Sequence, residues 1–426
     1  MGAGMLGFYR AATSLGAPLV RLYLHRRARR GREDRARLGE RLGQASAPRP
    51  DGALVWLHAA SVGESASVLP LIERLHQDRS ISILVTTVTV TSARLLAERL
   101  PGRALHQYLP VDTPAAVRGF LDHWRPDLAL WVESELWPNL LAETQARKVP
   151  AVMIQGRMSE RSFRRWSRWR SLIGPLIAGF RLVVAQTEAD AERYRALGAR
   201  AVTVCSTLKY AALPLAADTV ELNALQRQIG ARALWLAAST HAGEEAAAIT
   251  AHLEARPRLP DLLTFIVPRH PERGPEVAAL ARAQGLTVSL RTAADPITRD
   301  TDVYVADTLG ELGLFYRLAP LVFVGGSLTD AGGHNPIEPI QLGAATVTGP
   351  GQRNFAEVSA DLEAASALRT VADGHQLATT VADLLRDPAE RAELVRAQKG
   401  IVDAKADALE QVMAALKPYI PRHPAA

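Results

Sequence analysis

An α/β protein with two doubly wound parallel sheets is the architecture this sequence predicts, and three observations predict it. Short apolar runs of strand length alternate with helical stretches from residue 53 onward. The alternation lapses over residues 207–225 and then restarts. A chain of 426 residues is also longer than one ordinary core. Ligands in such sheets sit beyond the carboxyl ends of the strands. Two domains of this kind are therefore expected to bind in the cleft between them, with function on the loops that follow the strands.

The elements run as follows. Residues 1–24 mix aromatic and aliphatic side chains with Arg10, Arg21 and Pro18. The longest charge-free stretch between those arginines falls short of the ~20 residues that span a bilayer, and no small-residue cleavage site follows. His25–Arg41 is strongly cationic. Apolar residues with Tyr9 and Tyr23, then an arginine cluster, suit an interfacial anchor on an anionic leaflet, the positive flank indicating the cytoplasmic side. The alternative is a surface helix packed on its own domain. Buried strands are expected at Ala53–His58, Ile81–Thr87, Asp127–Glu133, Pro150–Gln155, Arg181–Gln186 and Arg200–Cys205. Helices fall between them near 64–76, 91–99, 113–123, 138–147, 160–178 and 188–196. After a poorly patterned connection, strands are expected at Ala233–Ser239, Asp261–Pro268, Leu286–Leu290, Thr301–Val305, Leu321–Val324 and Ala344–Thr348. Helices near 376–386, 387–401 and 405–417 close the chain.

The totals exclude several classes. A lone cysteine, Cys205, rules out a disulfide framework and a cysteine-rich zinc site. The histidines show no metal-ligand spacing, so no metal site is expected. Residues 1–50 hold eleven Arg against three acids, whereas the whole chain nets only +6. The basic charge thus belongs to the N-terminal segment and not to a nucleic-acid-binding domain.

Several strand-end loops are built for chemistry. In Trp56–Glu64 (WLHAASVGE) the acid opens a helix, where the dipole favours its ionised form and it is able to act as a base. An inert capping acid is the alternative. In Trp131–Asn139 (WVESELWPN), Glu133 and Glu135 point oppositely if the strand persists, so at most one faces the cleft unless the chain has turned. Glu135 as a cap over Trp137 is the structural alternative. The loop at Cys205–Tyr210 offers Lys209, a cation able to stabilise a leaving phosphate. In the second half, Ala238–Glu245 (ASTHAGEE) is a polar loop opening a helix, Val267–Arg273 carries Arg269 as a phosphate grip, and Asp307–Glu311 supplies backbone N–H groups and a carboxylate. Leu321–Pro339 (LVFVGGSLTDAGGHNPIEP) runs from a strand through a glycine-rich loop to a helix expected to start at Asn335–Pro336. Such a loop is an anion site, with Glu338 placed for sugar hydroxyls. Its spacing does not fit a dinucleotide fingerprint, and a sugar-nucleotide donor is the reading it favours.

Taken together, HAASVGE, ESELWPN, IVPRHPER, DTLGEL and VGGSL…GGHNPIEP, in this order and spacing, closely resemble the 3-deoxy-D-manno-octulosonic acid (Kdo) transferases of lipopolysaccharide assembly. The resemblance covers about residues 5–420. It implies a GT-B glycosyltransferase with two Rossmann-like doubly wound domains and an interdomain cleft, moving Kdo from CMP-Kdo to the 6′-hydroxyl of lipid IVA with inversion. No cofactor beyond that donor is implied, and the location is the cytoplasmic face of the inner membrane. Carried over by position, Glu64 is the base, and Glu133 and Lys209 support the transition state. Pro268, Arg269, Leu309, Gly310, Glu311, Asn335, Pro336, Ile337 and Glu338 contact CMP. The family's GSLKFD reads Ser206–Ala211 (STLKYA) here, without the aspartate. The expected organisation is a basic membrane-anchoring segment (1–42), an acceptor domain (43–212), a linker (213–228), a CMP-Kdo donor domain (229–404) and a C-terminal helix and tail (405–426). Arg161, Arg164, Arg165, Trp166, Arg168 and Trp169 interleave charge and aromatics on one helix. They suit an anionic membrane or the acceptor's phosphates, with RNA binding unsupported by any motif and a packed, solvated helix the structural alternative. A UDP-sugar enzyme of the same fold, or an inactive membrane-bound binding module, are the competing functions.

Overall fold

The computed structural model describes residues 2–212 and 214–421. Residue 213, where the expected linker begins, and residues 422–426 of the expected tail lie outside the described residues. The chain forms two compact units, Met1–Ala212 with Ala406–Ala426, and Leu213–Lys405.

The first unit is built on seven parallel strands: β1 (Ala53–His58), β2 (Ile81–Thr87), β3 (Leu105–Tyr108), β4 (Leu128–Val132), β5 (Ala151–Gly156), β6 (Leu182–Ala185) and β7 (Val202–Val204). Their order is β3-β2-β1-β4-β5-β6-β7. The central strands read as apolar runs because helices cover both faces. Trp56, Trp131 and Phe120 pack ring against ring on one face, with centroids 4.9 and 5.0 Å apart. The buried indole of Trp56 donates to Thr86 Oγ1 at 2.9 Å, which avoids an unpaired N–H in the core. Strand β3 was not expected, since His106 and Gln107 interrupt any apolar run. Both are held by side-chain partners, Thr87 Oγ1 at 2.9 Å and the Trp124 indole at 2.8 Å.

Sheet order places the switch in winding direction between β1 and β4, so the loops after those two strands open side by side. The second unit repeats the plan with β8 (Leu234–Thr240), β9 (Leu263–Pro268), β10 (Val288–Leu290), β11 (Val303–Val305), β12 (Leu321–Val324), β13 (Ala345–Thr348) and β14 (Arg369–Thr370). All pairs are parallel, in the order β10-β11-β9-β8-β12-β13-β14, and the switch lies between β8 and β12. Strand β14 has two exposed residues and no sequence pattern to announce it.

Three regions differ from expectation. Residues 219–229 of the poorly patterned connection form a helix, capped by Asp218 through the N–H groups of Val220 and Glu221. Its Leu225 and Ile229 are buried in the second unit. The expected helix 160–178 is two, Glu160–Arg168 and Arg170–Ala178, broken at Trp169. The last helix, Ala408–Leu416, returns to the first unit, where Val412 and Leu416 share a core with Val68, Leu71 and Leu208.

The N-terminal segment forms helices Gly2–Leu15 and Ala17–Arg29. One side is fastened to the first unit: Tyr9 donates to Asp112 (2.9 Å), Arg10 pairs with Glu143 (3.0 Å) and Asn139 donates to Thr13 (3.0 Å). The other side leaves Phe8, Leu15, Leu19, Leu22 and Tyr23 exposed. Among the described residues no helix is long and apolar enough to cross a membrane.

Candidate active site

At the switch point of the first unit, β1 ends at His58 and Ser61 caps the helix Val62–His76, its Oγ accepting from the Glu64 N–H at 3.2 Å. Glu64 returns the contact: Oε1 accepts from Ser61 Oγ (2.8 Å) and Oε2 from the Ala60 N–H (2.8 Å). This is a reciprocal cap. Contrary to expectation, the helix dipole does not hold this carboxyl ionised. Burial first, then the Glu133 charge, push it up to about 7, against the lowering effect of its hydrogen bonds. With 9% of its surface exposed, Glu64 has lost the water that a helix terminus ordinarily keeps.

Across the switch, β4 stops at Val132 and Glu133 sits in the left-handed region (φ 56°), its N–H bonded to the Ile154 carbonyl at 3.0 Å. The chain has therefore already turned, and both Glu133 and Glu135 act on Glu64. Burial raises Glu133, while Lys209 and then Arg157 pull it down. Among the described residues, Glu133 is thus the carboxylate with cations acting on it, and Glu64 the one whose charged neighbours are carboxylates. Glu135 caps nothing: Oε2 accepts the Trp137 indole N–H at 2.9 Å, and burial raises its pKa.

Lys209 lies in a short turn of 3₁₀ helix, Leu208–Ala211. Gln155, at the end of β5 and left-handed (φ 54°), fixes that turn from the side. Its Oε1 accepts the Leu208 N–H (2.8 Å) and its Nε2 donates to the Ser206 carbonyl (3.4 Å). Sequence reasoning passed over Gln155 and Arg157, and nothing in their spacing marks them out.

In the second unit the loops after β8 and β12 are joined by one buried carboxylate. Glu244 Oε2 accepts from the N–H groups of His241 (2.9 Å) and Gly326 (2.6 Å), and Oε1 from those of Ser327 and Leu328 (both 2.9 Å). Gly325 must be glycine, because a Cβ there would lie 2.7 Å from the Ser239 carbonyl oxygen. Pro268 ends β9, and the Arg269 N–H bonds the Thr240 carbonyl at 2.9 Å, leaving the guanidinium exposed beside the same loops. The helix expected from Asn335–Pro336 begins at Ile337 and has five residues. Asn335 Oδ1 accepts the Ile337 N–H (3.1 Å), and its Nδ2 donates to Glu338 (3.1 Å), whose carboxyl burial pushes up. Leu309 is exposed, Gly310 turns at φ 82°, and Glu311 is gripped by Arg291 (2.7 Å) and Thr308. Burial raises Glu311, but those two partners outweigh it and hold the carboxyl low.

Along Arg161–Arg170 the aromatics divide. Phe163 and Trp166 pack on the core while Trp169 is exposed. Arg164 pairs with Glu160 (2.8 Å), Arg165 lies 5.2 Å over the Trp166 ring, and Arg161 and Arg168 are exposed. None of these arginines hydrogen-bonds or ion-pairs with Glu64 or Glu133 among the described residues.

The family signature described as 3-Deoxy-D-manno-octulosonic-acid transferase (kdotransferase) matches residues 36–212. A 3-deoxy-D-manno-octulosonic acid transferase of Bordetella pertussis is 36% identical over 434 residues, covering 97% of this chain and 99% of its own. One from Haemophilus influenzae is 32% identical, covering 98% and 99%. Among solved structures, UDP-GlcNAc 2-epimerase from Neisseria meningitidis superposes with a TM-score of 0.58 at 13% identity, over 86% of this chain and 100% of that one. A glycosyltransferase from Rickettsia africae gives 0.56 at 11% identity, over 88% and 100%. Those likenesses show the fold, which is GT-B. The identity held along nearly the whole of its relatives shows that the chain belongs to the 3-deoxy-D-manno-octulosonic acid transferases and is a glycosyltransferase.

Proposed function

We propose that this transferase takes Kdo from CMP-Kdo and places it on the 6′-hydroxyl of lipid IVA, with inversion at the anomeric carbon. The observation that carries this is the Glu64 carboxyl, poised at about 7 by burial and by Glu133. A base near neutrality, held by Ser61 and Ala60, is matched to removing a hydroxyl proton at physiological pH. In the step, Glu64 takes that proton, the oxygen forms a bond to the anomeric carbon, and CMP leaves with the electron pair of the broken C–O bond. Lys209, fixed by the turn that Gln155 pins, supplies positive charge as negative charge grows on the phosphate, and Glu133 keeps Glu64 basic.

Residues 43–212 are the acceptor side in this reading, and 229–404 the donor side. Pro268, Arg269, Leu309–Glu311 and Asn335–Glu338 hold CMP. The exposed Phe8, Leu15, Leu19, Leu22 and Tyr23, followed by the arginines of residues 26–37, lie on the anionic cytoplasmic surface of the inner membrane. Arg161–Trp169 adds a second basic, aromatic contact for that surface or for acceptor phosphates.

The test is a transfer assay with CMP-Kdo generated in situ and lipid IVA, read by mass spectrometry of the lipid. A mass gain in the wild type that is lost in Glu64→Ala, while CMP still raises the melting temperature of both, supports the reaction and the base. No gain, where a known transferase gives one, sinks the acceptor assignment and turns attention to UDP-sugars or to a binding module.

A further inference from the structure

At the switch point of the second unit, His241 follows β8 and His334 follows the glycine loop after β12. Their Nε2 atoms are 2.8 Å apart, the ring planes are 3° from parallel, and the centroids are 5.1 Å apart. The centroid distance exceeds the N···N distance by about two ring radii, so the rings lie edge to edge in one plane, joined by an N–H···N hydrogen bond. The position is built for this. Gly326, at φ 69°, has room for the His334 ring, whereas a Cβ there would come within 2.9 Å of its Cδ2. Glu244 fixes the N–H groups of both His241 and Gly326. Both rings are half-buried, and neither Nδ1 has a hydrogen-bond partner among the described residues.

That geometry dictates what the pair offers outward. With a single hydrogen between the Nε2 atoms, the neutral pair presents one Nδ1–H donor and one Nδ1 lone pair. One added proton converts the lone pair into a second donor and gives the pair a positive charge. The titratable and charged groups acting on it are Arg269 and His270 from the loop after β9, His270 itself lying 3.8 Å from Glu272, and Glu244, whose oxygens are occupied by backbone N–H groups. Burial first, then His241, Arg269 and His270, lower His334 to about 4, so without a ligand its imidazole is neutral at pH 7.

We propose that the His241–His334 pair is an anion subsite that takes up one proton when an anionic oxygen group of the donor binds, turning from a donor–acceptor face into a two-donor cation. The proposal rests on the second unit being the donor side. Two groups of the donor have this chemistry, its phosphodiester and its sugar carboxylate. Both oxygens of either group accept hydrogen bonds without holding a proton near neutral pH, so any proton uptake comes from the protein.

The experiment is calorimetric titration of the full-length protein at pH 7 in buffers of different ionisation enthalpy. The probes are cytidine 5′-(methyl phosphate), free Kdo, and cytidine as the uncharged control. Expected is uptake of about one proton with whichever anion occupies the pair, none with cytidine, and an apparent affinity falling by roughly tenfold per pH unit above neutrality. His334→Gln and His241→Gln should abolish the uptake and flatten that pH dependence while melting like the wild type. Uptake with the diester assigns the subsite to the phosphate, and uptake with Kdo assigns it to the carboxylate. Anion binding with buffer-independent heat, or uptake that survives both substitutions, overturns the proposal alone. No binding of either anion overturns the donor reading and this proposal with it.

Discussion

Ionising Glu64 should cost this protein stability, and Glu64→Gln should reveal how much. The carboxyl is moved from 4.5 to about 7, chiefly by burial and by the Glu133 charge. Such a displacement corresponds to about 3 kcal/mol between the two protonation states. The sign follows from proton counting. Between pH 4.5 and 7 the native state keeps a proton that the unfolded state has lost, so stability is full below pH 4.5 and declines as pH rises through 7. Glutamine is close to isosteric here. Its carbonyl accepts the Ala60 N–H and its amide donates to Ser61 Oγ, so both contacts of the native side chain are kept. The variant lacks the ionisation, and its margin over the wild type should therefore grow from near zero at pH 4.5 to about 3 kcal/mol at pH 8, several degrees of melting temperature for a chain of this size.

Paired melting curves of wild type and Glu64→Gln across that range measure the margin directly. The same proton must appear in kinetics. The wild-type kcat/KM should rise with pH through about 7, with roughly a tenth of the plateau left one unit below. Glu133→Gln, by removing the second-largest cause of the shift, should move that acid limb to lower pH. A melting difference that stays flat from pH 5 to 8, or an acid limb below pH 5.5, would refute a buried, proton-holding Glu64.

Three other perturbations follow from the geometry. Glu244→Ala removes the acceptor of four buried N–H groups and should destabilise the second unit by about 4 kcal/mol or more, with hydrogen exchange at residues 325–328 quickening first. Gln155→Ala frees the turn that carries Lys209 and should lower kcat by about tenfold with little change in donor KM, since its amide bonds Ser206 and Leu208 of that turn. Serine at Leu19, Leu22 and Tyr23 together should weaken binding to anionic vesicles at least tenfold in co-sedimentation without changing the melting temperature, because those side chains face away from the core.

Much of the fold was legible because buried parallel strands advertise themselves. Ala53–His58, Ile81–Thr87 and Leu321–Val324 are mostly apolar runs, and their boundaries agree with the structure to the residue. What escaped was structure without that signature. Leu105–Tyr108 pairs at one sheet edge through polar residues satisfied by distant partners. Thr219–Ile229 is a helix because Asp218 caps it and two apolar residues find a core, which a weak amphipathic pattern does not disclose. The helix breaks at Trp169, whose ring is exposed while Trp166 packs inward, and which ring meets the core depends on the surface beneath rather than on local sequence. At the site, Glu64 was visible as a helix-opening acid, yet its elevated pKa was not. Burial and a neighbouring carboxylate reverse the dipole's preference, and both depend on β4 lying beside β1.

The two units make the same point by contrast. Each begins its sheet with a strand, a tight turn and Gly-Glu at the mouth of a helix: Gly63–Glu64 after β1, Gly243–Glu244 after β8. They differ in their caps, Ser61 bonding the Glu64 N–H in one and Gly243 turning at φ 98° directly before Glu244 in the other. What faces each across its switch point decides the rest. Glu244 meets Gly326, Ser327 and Leu328, three N–H groups in succession that, with His241, occupy both of its oxygens. Glu64 meets Glu133 instead and keeps only Ser61 and Ala60 as partners. One carboxylate is satisfied and holds a loop together; the other is left short of hydrogen bonds and close to a like charge, the state in which a carboxyl takes up a proton. Removing the charge should therefore act in opposite directions at the two positions, destabilising the second unit and stabilising the first. The same dipeptide is a fastener where a run of N–H groups faces it and a proton-holding carboxyl where a carboxylate does.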